Sequence, residues 1–422
     1  MSQYRLCSRA SGAVALLAVL GGCVRASTEP GGPPPELKAL PRPLTSSEQS
    51  VIGSGNDFSF ALFRRLSSAQ PGANVFVSPL SASMALGMTM NGAAGPTYDA
   101  MRQTLGFAGI EQQQINDGYK SLISLLRGLD KSTQFELANS IWYRQGFPVL
   151  PSFLDATRSA FDAEVSALDF TNAPAALSAV NGWAAQKTKG KIPSILDQID
   201  PSDVMYLLNA IYFKGSWRLR FDAQQTRDAP FHAADGSAQT AKLMHKEDTL
   251  RYLETPQFQA ADLLYGNGAF AMTVLLPKEG TGIDAFAASL TRADWTGWTE
   301  AFHTRKVVFE LPRLTFAYER KLNDDLSALG MGVAFDPQRA DFSRMAPIST
   351  QRLYVSFVKQ KAFVDVNEEG TEAAAVTAVG VSVTSAPIIP TMRVDRPFIF
   401  VIRERLSGTM LFMGKIAKLP NG

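Results

Sequence analysis

The groups in this chain able to run a covalent reaction are few, and their spacing does not assemble one. There are three histidines, His232, His245 and His303, and none lies in a His-Glu-x-x-His pair that would hold zinc. No Gly-x-Ser-x-Gly turn presents a serine nucleophile, and no Gly-x-x-x-x-Gly-Lys-Ser/Thr loop cradles a phosphate. Gly53-Ser54-Gly55 lacks the third glycine and the preceding strand of a dinucleotide loop, so it reads as a linker. An enzyme is therefore not expected, and no cofactor or metal is called for. The chemistry on offer is that of a substrate. Residues 368–376 read Glu-Glu-Gly-Thr-Glu-Ala-Ala-Ala-Val, and small or β-branched residues continue to Val383. Ser385-Ala386-Pro387 and Pro390 then mark a turn or loop. A long segment with strand chemistry sits where it cannot pair locally. Soluble proteins avoid exposing such backbone because it recruits other strands, which suggests that the segment is held for later use.

The elements that position this segment follow from periodicity. Residues 362–366 (Ala-Phe-Val-Asp-Val) lead into it as a strand, and 397–402 form a buried strand after it. Helices are expected over 58–66, with Asn56 or Asp57 as cap, and over 81–92, 98–105, 112–127, 151–161 and 175–187. Strands are expected over 74–78, 135–143, 204–212, 251–276 and 306–316, and a short helix over 323–329 is closed by Gly330. Helices lead and strands dominate later. That order predicts an α+β fold on large antiparallel or mixed sheets. No compositional break divides residues 50–419, so a single domain over 50–422 is expected.

The start of the chain differs. Arg5 and Arg9 precede a short apolar run over 13–20, and Gly21-Gly22 precede Cys23. This is the build of a secretory signal over 1–22, too short for a comfortable membrane span. Leu20-Gly21-Gly22-Cys23 resembles a bacterial lipobox, which implies that Cys23 is lipidated; the alternative is an ordinary signal with an incidental cysteine. Residues 23–49, rich in proline and glycine, read as an extended tether. With residues 1–22 removed, Cys7 is lost and no cysteine remains for a disulfide. The formal charge then falls from +2 to zero, because Arg5 and Arg9 leave with no acid. A neutral chain has no global electrostatic case for nucleic acid, and the membrane enters only through the lipid. Lys120, Arg127 and Lys131 read as a solvated face in preference to a polyanion site.

Four blocks, in order, resemble the serpin family: residues 74–81 (Asn-Val-Phe-Val-Ser-Pro-Leu-Ser), 209–217 (Asn-Ala-Ile-Tyr-Phe-Lys-Gly-Ser-Trp), 368–375 and 394–400 (Val-Asp-Arg-Pro-Phe-Ile-Phe). The likeness runs from about Gly55 to Leu419. It implies a single α+β domain with helices in its first half and an exposed reactive-centre loop over about 368–392. It also implies a monomer whose partner is a protease trapped after cutting the loop. Glu368, Glu369, Gly370, Thr371, Glu372, Ala373, Ala374 and Ala375 match the hinge that enters the sheet. By resemblance the cut falls at Thr384–Ser385, with Val383 and Ala386 as alternates. All four are small and uncharged, which suits an elastase-like or subtilisin-like serine protease; a cysteine protease stays open, since the trap needs only an acyl intermediate. Trp217, Arg313 and Glu368 match the top of the sheet where insertion begins. Ser78, Ser81, Asn209 and Gln360 match the polar cluster under its middle, with Gln360 where the family often has histidine. The competing reading is a non-inhibitory carrier or chaperone on the same fold.

Overall fold

A computed structural model describes residues 33–347, 352–371 and 389–420. Helix α1 (Ser46–Ala69) begins with the sequence Thr45-Ser46-Ser47-Glu48, a capping box. Glu48 N donates to Thr45 Oγ1 (3.1 Å) and Thr45 N donates to Glu48 Oε2 (2.8 Å). Asn56 and Asp57, expected as the cap, lie inside α1, and the helix starts ahead of the expected boundary at residue 50. Asn56 instead donates to Gly408 O (2.9 Å) and accepts from Met410 N. Residues 33–45, read as part of a free tether, lie against the body: Leu37, Leu40 and Leu44 pack on its core.

Helices α2 (Pro79–Met90), α3 (Gly95–Thr104), α4 (Gln112–Gly128), α5 (Pro151–Phe161) and α6 (Ala173–Lys187) follow, with α7 (Ile283–Ser289), α8 (Arg292–Ala301) and a single turn α9 (Asn323–Leu326) later in the chain. The helix expected over 323–329 is thus shorter. It runs into a π-type turn in which Gly330 takes φ +112°. Helix α4 packs closely on α1 because Gly118 has no side chain; a Cβ there would stand 2.6 Å from Ser47 O. Arg127 is engaged with Asp162 (2.7 Å) and Leu137 O, so it does not line up with Lys120 and Lys131 as a free cation.

The strands are β1 (Val75–Val77), β2 (Gln134–Arg144), β3 (Ala163–Leu168), β4 (Met205–Ser216), β5 (Arg227–His232), β6 (Ala238–Glu254), β7 (Phe258–Leu264), β8 (Phe270–Pro277), β9 (His303–Pro312), β10 (Leu314–Lys321), β11 (Lys359–Val366), β12 (Gly370–Thr371), β13 (Thr391–Arg393), β14 (Phe398–Glu404) and β15 (Met410–Ile416). One mixed sheet runs β1-β15-β14-β8-β7-β6-β9-β13, with β5 on β6. A second has the order β12-β4-β2-β3, and among the described residues β10 pairs with β11 alone. The pattern expected over 306–316 is two strands, broken at Arg313. Alternation gives β4 two different faces. Ile211 and Phe213 join the main core, whereas Tyr206, Leu208 and Ala210 pack with Trp142, Val180 and Trp183 under α6. The fold is α+β, as the order of elements predicted.

The start of α1 depends on one buried carboxylate. Glu48 is fully buried and accepts from Arg42 (2.6 and 2.8 Å), Ser121 Oγ (2.7 Å) and Thr45 N. The Arg42 hydrogen bond, outweighing the cost of burial, holds its pKa down to about 2. A depressed acid stabilises the fold above its ordinary value and loses that contribution as pH falls through the depressed one. Glu48→Gln is expected to cost about 2 kcal/mol at pH 7. Thermal unfolding should show this gap closing between about pH 4.5 and 2; a gap independent of pH would assign the loss to packing.

Candidate functional site: an unfilled slot between β4 and β11

Strands β4 and β11 face each other, yet among the described residues no ladder joins them. Between the lower part of β4 and the segment leading into β11 lies a cavity of about 240 Å³, lined by Tyr206, Leu208, Leu353, Val355 and Phe357 and floored by Leu86 of α2. Two edges with unspent hydrogen-bonding capacity thus border an unfilled space, lined by polar side chains such as Asn209 and Gln360 as well as apolar ones, which is the geometry of a missing strand.

Each edge is tied to the first turn of α2 and not to the other edge. On the β11 side, the Gln360 amide clasps Ser78: Nε2 donates to Ser78 O (2.7 Å) and Oε1 accepts from Ser78 N (3.3 Å). Ser78 caps α2, accepting from Ser81 N (3.3 Å) and donating to Leu411 O (2.7 Å). On the β4 side, Ser81 Oγ donates to Asn209 Oδ1, Asn209 Nδ2 donates to Asn139 Oδ1 (2.6 Å), and Asn139 Nδ2 donates to Phe161 O (2.6 Å). The four residues expected in this cluster are therefore together. Asn139 of β2, absent from the sequence reading, extends it.

At the top, the chain leaves β11 and turns back. Glu368 is buried, and Arg313 grips it through Nε (2.8 and 3.0 Å) and Nη2 (2.7 Å), while Thr226 Oγ1 donates to the same carboxylate. Burial pushes the Glu368 pKa up, but these donors outweigh it and leave the carboxyl below its ordinary range. Trp217 Nε1 donates to Asn367 O (2.8 Å), Trp217 N to Glu369 O (2.8 Å), and its ring stacks on Tyr265 at 4.4 Å. Asn367 bridges to Gly370, and Gly370 and Thr371 (β12) pair antiparallel with Ser216 and Gly215 of β4. The sequence pattern assigned Gly370 the role of a freely turning residue. The structure adds a steric reason: φ is +145°, and a Cβ would stand 2.1 Å from Gly215 O.

The far end of the loop is fixed by residues the sequence reading did not single out. Strand β13 runs parallel to β9. Arg393 and Arg227 bond the buried Glu310, whose Oε1 lies 3.0 Å from His245 Nδ1. No motif marks this cluster, because its members come from four strands. Of the expected site residues, Cys23, Glu372, Ala373, Ala374, Ala375, Val383, Thr384, Ser385 and Ala386 lie outside the described residues, as does the signal over 1–22.

A family model described as Serpin (serine protease inhibitor) matches residues 54–419. Leukocyte elastase inhibitor of Bos taurus is 35% identical over 382 residues, spanning 87% of this chain and 99% of that one. Among solved structures, the thermophilic serpin tengpin in its native state is similar with a TM-score of 0.81 at 29% identity, over 92% of this chain and 97% of its own. Human thyroxine-binding globulin also gives 0.81, at 27% identity over 89% and 100%.

Arg313→Ala is expected to leave Glu368 with Thr226 alone among its side-chain donors. Because Arg313 is half exposed, the cost is about 1 kcal/mol, or roughly one to two degrees in the melting temperature at pH 7. Glu368 has a depressed pKa, so the difference should persist above about pH 4.5 and shrink as pH falls below it. Calorimetry across that window checks the sign.

Proposed function

The chain belongs to the serpin family, and from that premise we propose that it inhibits a serine protease by letting it cut the loop beyond Thr371. The protease nucleophile adds to the carbonyl of Thr384, the bond to Ser385 breaks, and the new amine departs with a proton. The acyl-enzyme is then carried off as the freed strand fills the slot between β4 and β11. The observation that carries this reading is the β12 rung: Gly370 and Thr371 already pair with the top of an otherwise unpaired β4 edge.

Continuing that register downwards gives the inserted strand its faces. Thr377 would come opposite Asn209 on β4 and, through the Asn367–Gly370 bridge, opposite Gln360 on β11. Ala373 would sit between Phe213 and Val364, and Ala375 between Ile211 and Ala362, on the face that packs into the main core. Every residue sent inward, from Thr371 to Val381, is uncharged and either small or β-branched. Glu372, the one charge in that run, would fall on the outer face. Roughly a dozen residues would gain ladder bonds. At about 0.5–1.5 kcal/mol each, this is about 6–18 kcal/mol gross, against the ~5–15 kcal/mol that stabilises a typical domain. The uncut form is then a kinetic trap.

Val383, Thr384 and Ala386 suit a shallow apolar primary pocket, and no Lys or Arg occurs between Lys361 and Arg393 to satisfy a trypsin-like one. The relatives named as leukocyte elastase inhibitors support an elastase-like target. A carrier role has human thyroxine-binding globulin as a structural neighbour. It is the weaker reading because this hinge has no proline and no large inward charge. The reading includes export, with Cys23 acylated after removal of residues 1–22.

An elastase-like protease should form an equimolar adduct that survives SDS, and Thr371→Arg should abolish the adduct while leaving the loop cleavable. Adduct formation at the unaltered level in that variant would refute insertion by this hinge. Cys23→Ala should move the protein from the membrane pellet to the soluble fraction; continued pelleting would sink the anchor.

A further inference from the structure

Residues 33–45 contain no helix or strand, yet they are fastened along their length. Arg218 Nη1 donates to Pro34 O, Leu37 N donates to Asn267 O (2.7 Å), and Arg405 Nη2 donates to Leu37 O (2.7 Å) and reaches Glu36 (3.3 Å). Arg405 is itself held by Gly268 O (2.8 Å), and Arg42 closes the run on Glu48. The attachment points are next to the loop. Arg218 follows Trp217 and also donates to Gly266 O (3.2 Å); Gly266 N donates to Ser216 O (2.9 Å), and Ser216 pairs with Gly370. Pro34 is therefore three hydrogen bonds away, through Arg218 and Gly266, from the residue that pairs with the start of the loop.

This shortens the stretch of sequence between Cys23 and the first fastened residue. Were residues 24–49 all tether, the anchor would lie up to ~90 Å from the body at full extension. With 33–45 fastened, only residues 24–32 are left, a reach of at most ~30 Å. A protease domain of ordinary size is on the order of 40 Å across. We propose that residues 33–45 are a strap that holds the loop-bearing end of the molecule close to whatever surface carries Cys23, so that the inhibitor is directed at proteases working on that surface and is screened from those in bulk solution. The proposal rests on the acylation of Cys23 put forward above.

The test uses the chain beginning at Cys23, its single cysteine, coupled through that thiol to phosphatidylcholine vesicles carrying a maleimide lipid. The readout is the rate at which a soluble elastase consumes the intact loop, adduct and clipped chain counted together. Coupled protein should react at least about fivefold more slowly than uncoupled protein mixed with the same vesicles. Inserting 30 Gly/Ser residues between Val24 and Arg25 should restore the rate to within about twofold. Glu36→Ala with Leu37→Pro, which removes the Glu36 carboxylate, the Leu37 N–H donor and the Leu37 side chain's packing on the core, should restore it in part. Equal rates for coupled and uncoupled chains, or a slowing that the insertion leaves unchanged, would overturn the proposal. The coupling is chemical and both fates of the loop are counted, so the measured rates depend neither on acylation in the cell nor on successful inhibition.

Discussion

The facing edges of β4 and β11 share a support and not a ladder. Asn209 on one side and Gln360 on the other both hang from the first turn of α2, through Ser81 and Ser78. Backbone groups along a strand edge normally find partners, because leaving them unpaired away from water is costly. Here they are kept apart by side-chain bonds to a helix that packs beneath both. The cavity between them and the antiparallel rung at Gly370 both acquire a purpose from that one arrangement.

The loop is bounded at each end by the same device. Glu368 and Glu310 are both buried carboxylates held ionised by arginine, Arg313 at the start and Arg393 with Arg227 at the end. A buried charge that loses its partner is strongly destabilising, whereas the intact pair adds little net stability. Such pairs are better suited to fixing position than to strengthening the fold. Arg313 sits at the break between β9 and β10, so the pair also joins the large sheet to the two-stranded one. With β13 fixed to β9, the chain beyond the loop has no freedom to follow the hinge. In the proposed mechanism, a break in the loop is what frees the hinge to move along β4.

Much of this could be read in the sequence because it resides in contiguous blocks. Residues 209–217 and 74–81 carry Asn209, Trp217, Ser78 and Ser81 of the described site, and residues 368–370 carry Glu368 and Gly370. What could not be read is what distant segments contribute. Asn139 enters the cluster through the register of β2 on β4, and Glu310 gains its three partners from three other strands. The start of α1 is a different failure. Thr45-x-x-Glu48 is a legible capping box, but it follows a proline-rich run and precedes two glycines, Gly53 and Gly55, that weaken helical propensity. Burial of Glu48, Val51 and Ile52 against α4 overrides that weakness. The same tertiary contacts turn residues 33–45 from apparent tether into part of the body.

Gln360 changes where the molecule can sense pH. An imidazole in its place would gain a charge near neutrality and disturb the clasp on Ser78. The amide keeps the same donor and acceptor at every pH, so the middle of the slot is indifferent to acid. A group beside the entry that burial brings towards the physiological range is Lys246. It is buried, donates to Leu219 O and lies 4.7 Å over the Phe221 ring. Phe221 N in turn bonds Glu368 O. Burial lowers the Lys246 pKa to about 8, against the opposing pull of Asp248. A base depressed in the folded state binds fewer protons than in the unfolded chain between about pH 8 and 10.5, so stability rises with pH across that window and is flat below it. Lys246 therefore adds no pH dependence to the entry segment through mildly acidic and neutral conditions.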